Sequence, residues 1–261
     1  MSKKKNNMKS IAERHNYILE KLREQQYVKV SEMAKELNVT TVTIRKDLKT
    51  LEERNLLFRT HGSAMPVNPH VPDLSVHVKG KLRNEEKKKI AVAAAQLIDE
   101  NDSIIISAGS TNYKFAEQIK AKGHLNVVTS SLLVSILLNE LPDISVTQLG
   151  GNLYKKSMSV RGKYASDAFN DLTCSKLFLG VDGIDKEHGI TNSNIDEAQL
   201  SKSMIKASSQ IIVLADSSKF GKRGFGKVCA LDGVDIIITD DGITDSMASM
   251  LDNMGIRVII A

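Results

Sequence analysis

The chain has no tryptophan, and aromatic residues make up only 4% of its 261 residues. Its core must therefore be mostly aliphatic. Cysteine is nearly absent too. Cys174 and Cys229 lie far apart and lack CxxC spacing, which argues against a disulfide or a zinc site and for two free thiols in a reducing compartment. No apolar run is long enough to span a bilayer, so no membrane partner is expected. Met1 to Lys9 is basic and polar and lacks the apolar stretch of a signal peptide, which predicts a cytoplasmic protein. His61, His124 and His188 form no metal-ligand pattern, and no Ser-His-Asp arrangement is visible. Gly221-Lys-Arg-Gly-Phe-Gly226 lacks the spacing of a dinucleotide-binding loop and reads as a mobile basic loop. Neither a metal nor a cofactor is expected.

Charge is unevenly placed. Residues 1–65 carry 14 Lys and Arg against 8 Asp and Glu, whereas the rest carry 22 against 23. A basic module joined to a near-neutral one points to a polyanion partner for the first alone.

In the basic module, Arg14 to Glu24 has helical spacing at Ile18, Leu19 and Leu22. Tyr27 to Val30 is short and β-branched. Ser31 then reads as the N-cap of a helix from Glu32 to Leu37, with Met33, Ala34 and Leu37 as its buried stripe. Asn38-Val39 makes a tight turn, and Thr40 or Thr41 caps a third helix running to about Arg54. Ile44, Leu48 and Leu51 should face the core, leaving Thr41, Thr43, Arg45, Lys46 and Lys49 outside. A short helix, a tight turn and a longer helix with a basic-polar outer face make a helix-turn-helix, whose last helix enters the major groove of double-stranded DNA. The structural alternative for Arg45 and Lys46 is a solvated face paired with Asp47. Leu56 to Arg59 and Ala64-Met65 flank a Gly62 turn and predict a wing, with Arg59 and His61 placed to touch phosphates.

Thr43-Ile-Arg-Lys-Asp-Leu48, Leu51-Glu52 and Arg59-Thr-His-Gly-Ser-Ala64 together resemble the DeoR family of bacterial regulators. Lys46 replaces the family's second Arg, Asn55 stands where Gly is usual, and Ser63 replaces a second Gly.

Pro66, Pro69 and Pro72 fall within seven residues and disfavour both helix and strand. The domains are therefore predicted as 10–65, a winged helix-turn-helix; 66–84, a linker; and 85–261, an effector domain. In the last, helices (from Glu85, Asn112, Leu132 and Asp196) alternate with strands (Ser103–Ser107, Asn126–Thr129, Ser145–Leu149, Lys176–Val181, Gln210–Ala215, Ile236–Thr239 and Arg257–Ile260). The expected class is α/β, with a mainly parallel sheet covered on both sides and a ligand beyond the strands' carboxyl ends.

Those ends carry small polar residues. Gly109 permits close backbone approach, and Ser110 and Thr111 offer hydroxyls to an anion. Ser130 and Gly151 follow the second and third strands. Lys219 suits a phosphate, and Asp182 or Asp185 suits sugar hydroxyls. Glu197, near a helix start, is a ligand contact or simply favours the helix dipole.

The resemblance extends through Leu149-Gly-Gly151, Phe178 to Asp185, Gly189-Ile-Thr191, Asp196-Glu-Ala198 and Asp216-Ser-Ser-Lys-Phe-Gly221. It implies a sensor similar to the ribose-5-phosphate isomerase fold, answering to a phosphorylated sugar or related metabolite. It also implies operator DNA as partner and repression relieved by ligand. Where the family pattern has Asp before its Gly-Thr-Thr loop, this chain has Ser107; where it has Asn after the second strand, this chain has Ser130. One helix-turn-helix reads only a half-site, so a homo-oligomer, dimer or tetramer, is expected. An isomerase with Glu197 as base and Asp182, Asp185 and Lys219 as orienting groups is the rival reading, and a DNA-binding protein without an effector is another. A DNA-binding module has no use in a plain isomerase, so the chain is expected not to be an enzyme.

Overall fold

Leucines and isoleucines at helical spacing set the first three helices. The computed structural model describes residues 10–25, 27–53, 56–60, 62–66 and 71–261. The chain divides into two compact units, Met1–Asn68 and Pro69–Ala261.

The first unit runs α1 (Ile11–Gln25), β1 (Val28–Lys29), α2 (Val30–Glu36), α3 (Thr41–Glu53), β2 (Leu57–Thr60) and β3 (Ser63–Pro66). Ile18 and Leu22 of α1, Met33 of α2, and Ile44, Leu48 and Leu51 of α3 meet in one aliphatic core. Asn38, with φ 52°, makes the turn between α2 and α3, a left-handed conformation that Asn tolerates well. Thr40 then caps α3, its Oγ1 accepting from the Thr43 N–H at 3.1 Å. The cap expected at Ser31 does not form. Helix α2 starts at Val30, whose N–H is already taken by the Gly62 carbonyl at 2.8 Å. Strands β2 and β3 pair antiparallel, and β1 joins β3, giving the order β1-β3-β2 of a wing. The positive φ of that turn, 77°, falls on Gly62, so Ser63 sits in the strand without strain.

The second unit opens with α4 (Val76–Lys81), α5 (Asn84–Ala95), β4 (Ser103–Ile106), α6 (Ser110–Ala116), β5 (Leu125–Thr129), α7 (Leu132–Leu138) and β6 (Ile144–Gln148). A hairpin follows, β7 (Asn152–Tyr154) and β8 (Ser159–Arg161), then α8 (Lys163–Asp167) and β9 (Cys174–Gly180). The remainder is β10 (Gly183–Asp185), β11 (Gly189–Asn192), α9 (Ile195–Lys206), β12 (Ser208–Leu214), β13 (Gly226–Cys229), β14 (Ile236–Thr239), α10 (Asp245–Asn253) and β15 (Arg257–Ile260).

Seven strands form one sheet in the order β15-β14-β12-β9-β4-β5-β6, and every pairing within it is parallel. Alternation along the strands divides the core in two. Ile104, Ile106 and Phe178 pack with Ile90, Ala94 and Phe115 on one face; Ile105, Leu177 and Leu179 pack with Ala198, Leu200 and Met204 on the other. Strands β10, β11 and β13 form a separate antiparallel sheet at the carboxyl end of β9.

Residues 71–84, expected as part of a linker, are instead folded onto this second unit. Val71 N–H donates to the Arg223 carbonyl at 3.0 Å and Val76 N–H to the Lys156 carbonyl at 2.7 Å. Tyr154 Oη donates to Asp73, and Ser75 caps α4 by accepting from Val78 N–H. The prolines set only the local backbone; the capping residues and partners far along the chain decide where the segment lies. Nor is the stretch Gly221–Gly226 a free basic loop. Arg223 Nε lies 2.9 Å from Asp185 Oδ2, and a Cβ on Gly224 would fall 2.3 Å from the Asn192 backbone.

Candidate functional site

In the first unit, α3 turns its apolar stripe inward and leaves Thr41, Arg45, Lys46 and Lys49 exposed, with Thr43 half-buried. The pairing offered above for Arg45 and Lys46 is absent, because Asp47 faces inward. Arg14 donates from Nε and Nη2 to its two carboxylate oxygens at 2.8 and 3.0 Å, and this hydrogen-bonded partner lifts the Arg14 pKa. The side chains of Arg45 and Lys46 make no hydrogen bond or ion pair among the described residues. Lys49 is only loosely paired with Glu53, at 3.9 Å. Arg59 is held: its Nε donates to Glu52 at 2.7 Å and its backbone N–H to the same carboxylate at 3.0 Å. His61 lies outside the described residues. Two long cations without partners among the described residues, on the outer face of a capped helix, are suited to base edges and phosphates.

In the second unit, a cleft opens beyond the carboxyl ends of β4 and β9. Gly109, Ser110, Thr111, Asp182, Glu197 and Lys219 all line it, joined by Lys79, Lys87 and Asn192. Gly109 has φ 144°, a conformation open to glycine. Lys219 reaches the cleft from the turn after β12, and its ammonium has no hydrogen bond or ion pair among the described residues. Lys79 Nζ stands 2.6 Å from Asp182 Oδ1, while the Ser193 N–H and Oγ donate to Oδ2 at 2.9 and 2.7 Å. Both oxygens of Asp182 are thus engaged by the protein. Burial pushes its pKa up, but Lys79 and Lys219 outweigh this and hold it at about 2. Lys87 is almost fully buried; its Nζ donates to the Lys79 and Leu82 carbonyls and lies 3.7 Å from Asp216. Burial lowers its pKa, partly offset by Asp216. Glu197 stands in the first turn of α9, capped by Asn194. Its carboxylate has no hydrogen-bond partner among the described residues, and burial, then Asp182, raise its pKa to about 7. Lys79, Lys87 and Lys219 therefore face the cleft against Asp182, with Asp216 behind Lys87, and the cleft favours an anion.

Ser130 lines a second chamber, described below, while Asp185 and Gly151 line neither. Asp185 is held by Arg223 and by the N–H groups of Glu187 and His188. Gly151 lies under β8, where a Cβ would meet the Arg161 carbonyl at 2.8 Å.

Lys79, Lys87 and Asn192 escaped the sequence reading. Lys79 was hidden by the linker assignment. Lys87 carried a usable signal, since it lies on the apolar stripe of α5 with Ile90, Ala91 and Ala94, where a lysine requires a buried partner.

Residues 14–69 match the model of the DeoR-like helix-turn-helix domain, and residues 82–241 match that of the DeoR C-terminal sensor domain. The chain belongs to the DeoR family. It is a DNA-binding transcriptional regulator. Among relatives, the HTH-type transcriptional regulator YulB of Bacillus subtilis is 34% identical over 248 residues, covering 95% of this chain and 96% of that protein. The HTH-type transcriptional repressor GlcR of the same organism is 31% identical over 243 residues, covering 93% of each. The glycerol-3-phosphate regulon repressor of Escherichia coli is 29% identical over 232 residues, covering 87% of this chain and 90% of that one. Among solved structures, ribose 5-phosphate isomerase A from Methanocaldococcus jannaschii overlaps 52% of this chain and 54% of that one, at 17% identity and a TM-score of 0.37. Among the described residues of this DeoR-family chain, no helix is long and apolar enough to cross a membrane.

Proposed function

We propose that this regulator is a cytoplasmic repressor of genes for sugar or related carbon metabolism, and that it leaves its operator when a phosphorylated sugar or related intermediate enters the cleft. The observation that carries the effector half is the unpaired Lys219 beside Gly109, Ser110 and Thr111. A cation, two hydroxyls and open backbone together suit a phosphate. The relatives' names, among them the glycerol-3-phosphate regulon repressor, agree with this ligand class. Thr41, Thr43, Arg45, Lys46 and Lys49 would meet DNA, with Arg59 and His61 on the wing. A homo-oligomer would present two such helices to a two-part operator.

Proton-transfer chemistry is the weaker reading. The isomerase arrangement needs Asp182 and Asp185 to orient a substrate, yet Asp182 is saturated by Lys79 and Ser193, and Asp185 by Arg223. Ligand binding then acts only through its differential affinity for the DNA-bound and free states.

The test is fluorescence anisotropy of DNA from upstream of the protein's own gene, titrated at one fixed salt concentration with and without a panel of sugar phosphates. Tight binding over random DNA, weakened by one sugar phosphate, is the expected result. Binding that no phosphorylated metabolite shifts would sink the effector assignment. Turnover of a sugar phosphate by the same protein would restore the enzyme reading.

A further inference from the structure

The second chamber adjoins the cleft, and Ala108 and Glu197 line both. Its walls carry the hydroxyls of Ser107, Ser130, Ser157, Ser159 and Ser201, and the side chain of Arg161. The sites differ in their cations: the first offers lysines, the second a single guanidinium.

Arg161 is held in place but not satisfied. Its guanidinium lies 3.4 Å from the centroid of the Tyr154 ring. Its Nε faces Asp196 Oδ2 at 3.6 Å, a carboxylate that is 56% exposed and so largely screened by water. Nη1 is buried and has no hydrogen-bond partner among the described residues. A buried guanidinium N–H without an acceptor is costly to the protein alone. Ser130, 2% exposed, also makes no side-chain hydrogen bond among the described residues. Two donors with no acceptor thus belong to side chains lining one small chamber.

Ser107 stands where the family pattern places aspartate, and Ser130 where it places asparagine. Both positions line this chamber. Glu197, at the boundary, is the one acidic residue lining it. Ser201 donates to the Glu197 carbonyl, Ser157 and Ser159 bond each other, and Ser107 accepts from Asn112 and Gly180, so among the described residues Arg161 Nη1 and the Ser130 hydroxyl are the donors the chamber leaves open.

We propose that the second chamber binds a carboxylate on the ligand, held by Arg161 and the Ser130 hydroxyl while the phosphate occupies the Lys219 cleft, so that the effector is a phosphorylated sugar acid and not a neutral sugar phosphate. This rests on the phosphate reading of the first cleft. A planar guanidinium and a carboxylate match in shape and charge, and desolvation strengthens the pairing.

Matched pairs isolate the carboxylate. Sorbitol 6-phosphate and 6-phosphogluconate differ at one terminal carbon, as do ribitol 5-phosphate and ribonate 5-phosphate. Titration calorimetry of the full chain at fixed salt and pH is expected to give about tenfold tighter binding of the acid in at least one pair, the scale of one charge-assisted contact. R161Q should bring the two members of that pair within about twofold by weakening the acid. S130D, which puts a carboxylate into the chamber without touching Arg161, should do the same and carries the test if R161Q does not fold. Equal binding of acid and alcohol in both pairs, or a preference that survives R161Q or S130D, overturns the proposal and leaves the phosphate site standing. If neither acid nor alcohol binds, the phosphate reading falls and this inference with it.

Discussion

Lys79 of α4 and Asp182, 103 positions further along the chain, meet at 2.6 Å with both side chains largely buried. This contact ties the segment after the prolines to the mouth of the cleft. Removing one partner of a buried pair leaves the other uncompensated and costs about 3 kcal/mol. K79M should therefore lower the stability of the second unit by roughly that amount in urea unfolding. The double variant K79M/D182L should recover much of the loss. An unchanged midpoint in K79M would mean that the pair contributes nothing.

Asp47 and Arg45 are two positions apart on α3 and should behave oppositely. D47A removes the carboxylate that Arg14 binds inside the first unit, and a loss of about 3 kcal/mol in its unfolding is expected, with DNA binding lost as a consequence. R45A should leave the unfolding curve unmoved and weaken operator binding by about 2 kcal/mol, the scale of a base contact. K46A should weaken operator and random DNA alike and flatten the logarithmic salt dependence by about one unit. Anisotropy titrations at several salt concentrations measure all three; an operator affinity unchanged in R45A would displace the assigned DNA face.

Lys219 is the cation with most freedom to meet a ligand. K219A should abolish the response of the DNA complex to sugar phosphate, while operator affinity without ligand stays within about twofold. T111V should weaken the response less, because a neutral hydroxyl contributes less than a cation. A K219A protein that still releases DNA with the same ligand would move the phosphate site elsewhere.

Glu197 gives a pH signature. Its pKa in the folded chain, about 7, lies above the ordinary 4.5, so the native state holds a proton that the unfolded state has released. Its contribution to stability is complete below pH 4.5 and is lost as pH rises through 7. E197Q should match the parent at low pH and exceed it above neutrality by on the order of 2 kcal/mol. Asp182, held near 2, has the opposite sign: its contribution is present above its ordinary pKa and fades as pH falls toward 2. Thermal melts of parent and E197Q across pH 4 to 9 check the first; parallel curves would mean that Glu197 titrates normally.

Local pattern was enough for most elements. The i, i+4, i+7 spacing of Ile44, Leu48 and Leu51 fixed the inward face of α3, and with it the exposure of Arg45 and Lys46. Apolar runs such as Ser103–Ile106 marked strands buried on both faces, which gave the parallel sheet before any pairing was visible. The grouping of Gly109, Ser110, Thr111, Asp182 and Lys219 followed as well, since in such sheets the strand ends converge.

What the sequence determined by itself is therefore the two-unit plan, the exposed basic face of α3 and most residues that line the cleft, because each depends on periodicity or on a short motif. Tertiary structure alone decided which charges are spent on the fold and which are free. Asp47 is drawn inward by Arg14, Asp182 is saturated by Lys79 and Ser193, and Asp185 is turned to Arg223. Among the described residues, Lys219 and Arg161 Nη1 are left without acceptors. No local pattern carries that distinction, because a carboxylate's availability depends on which cation the fold brings within about 3 Å of it.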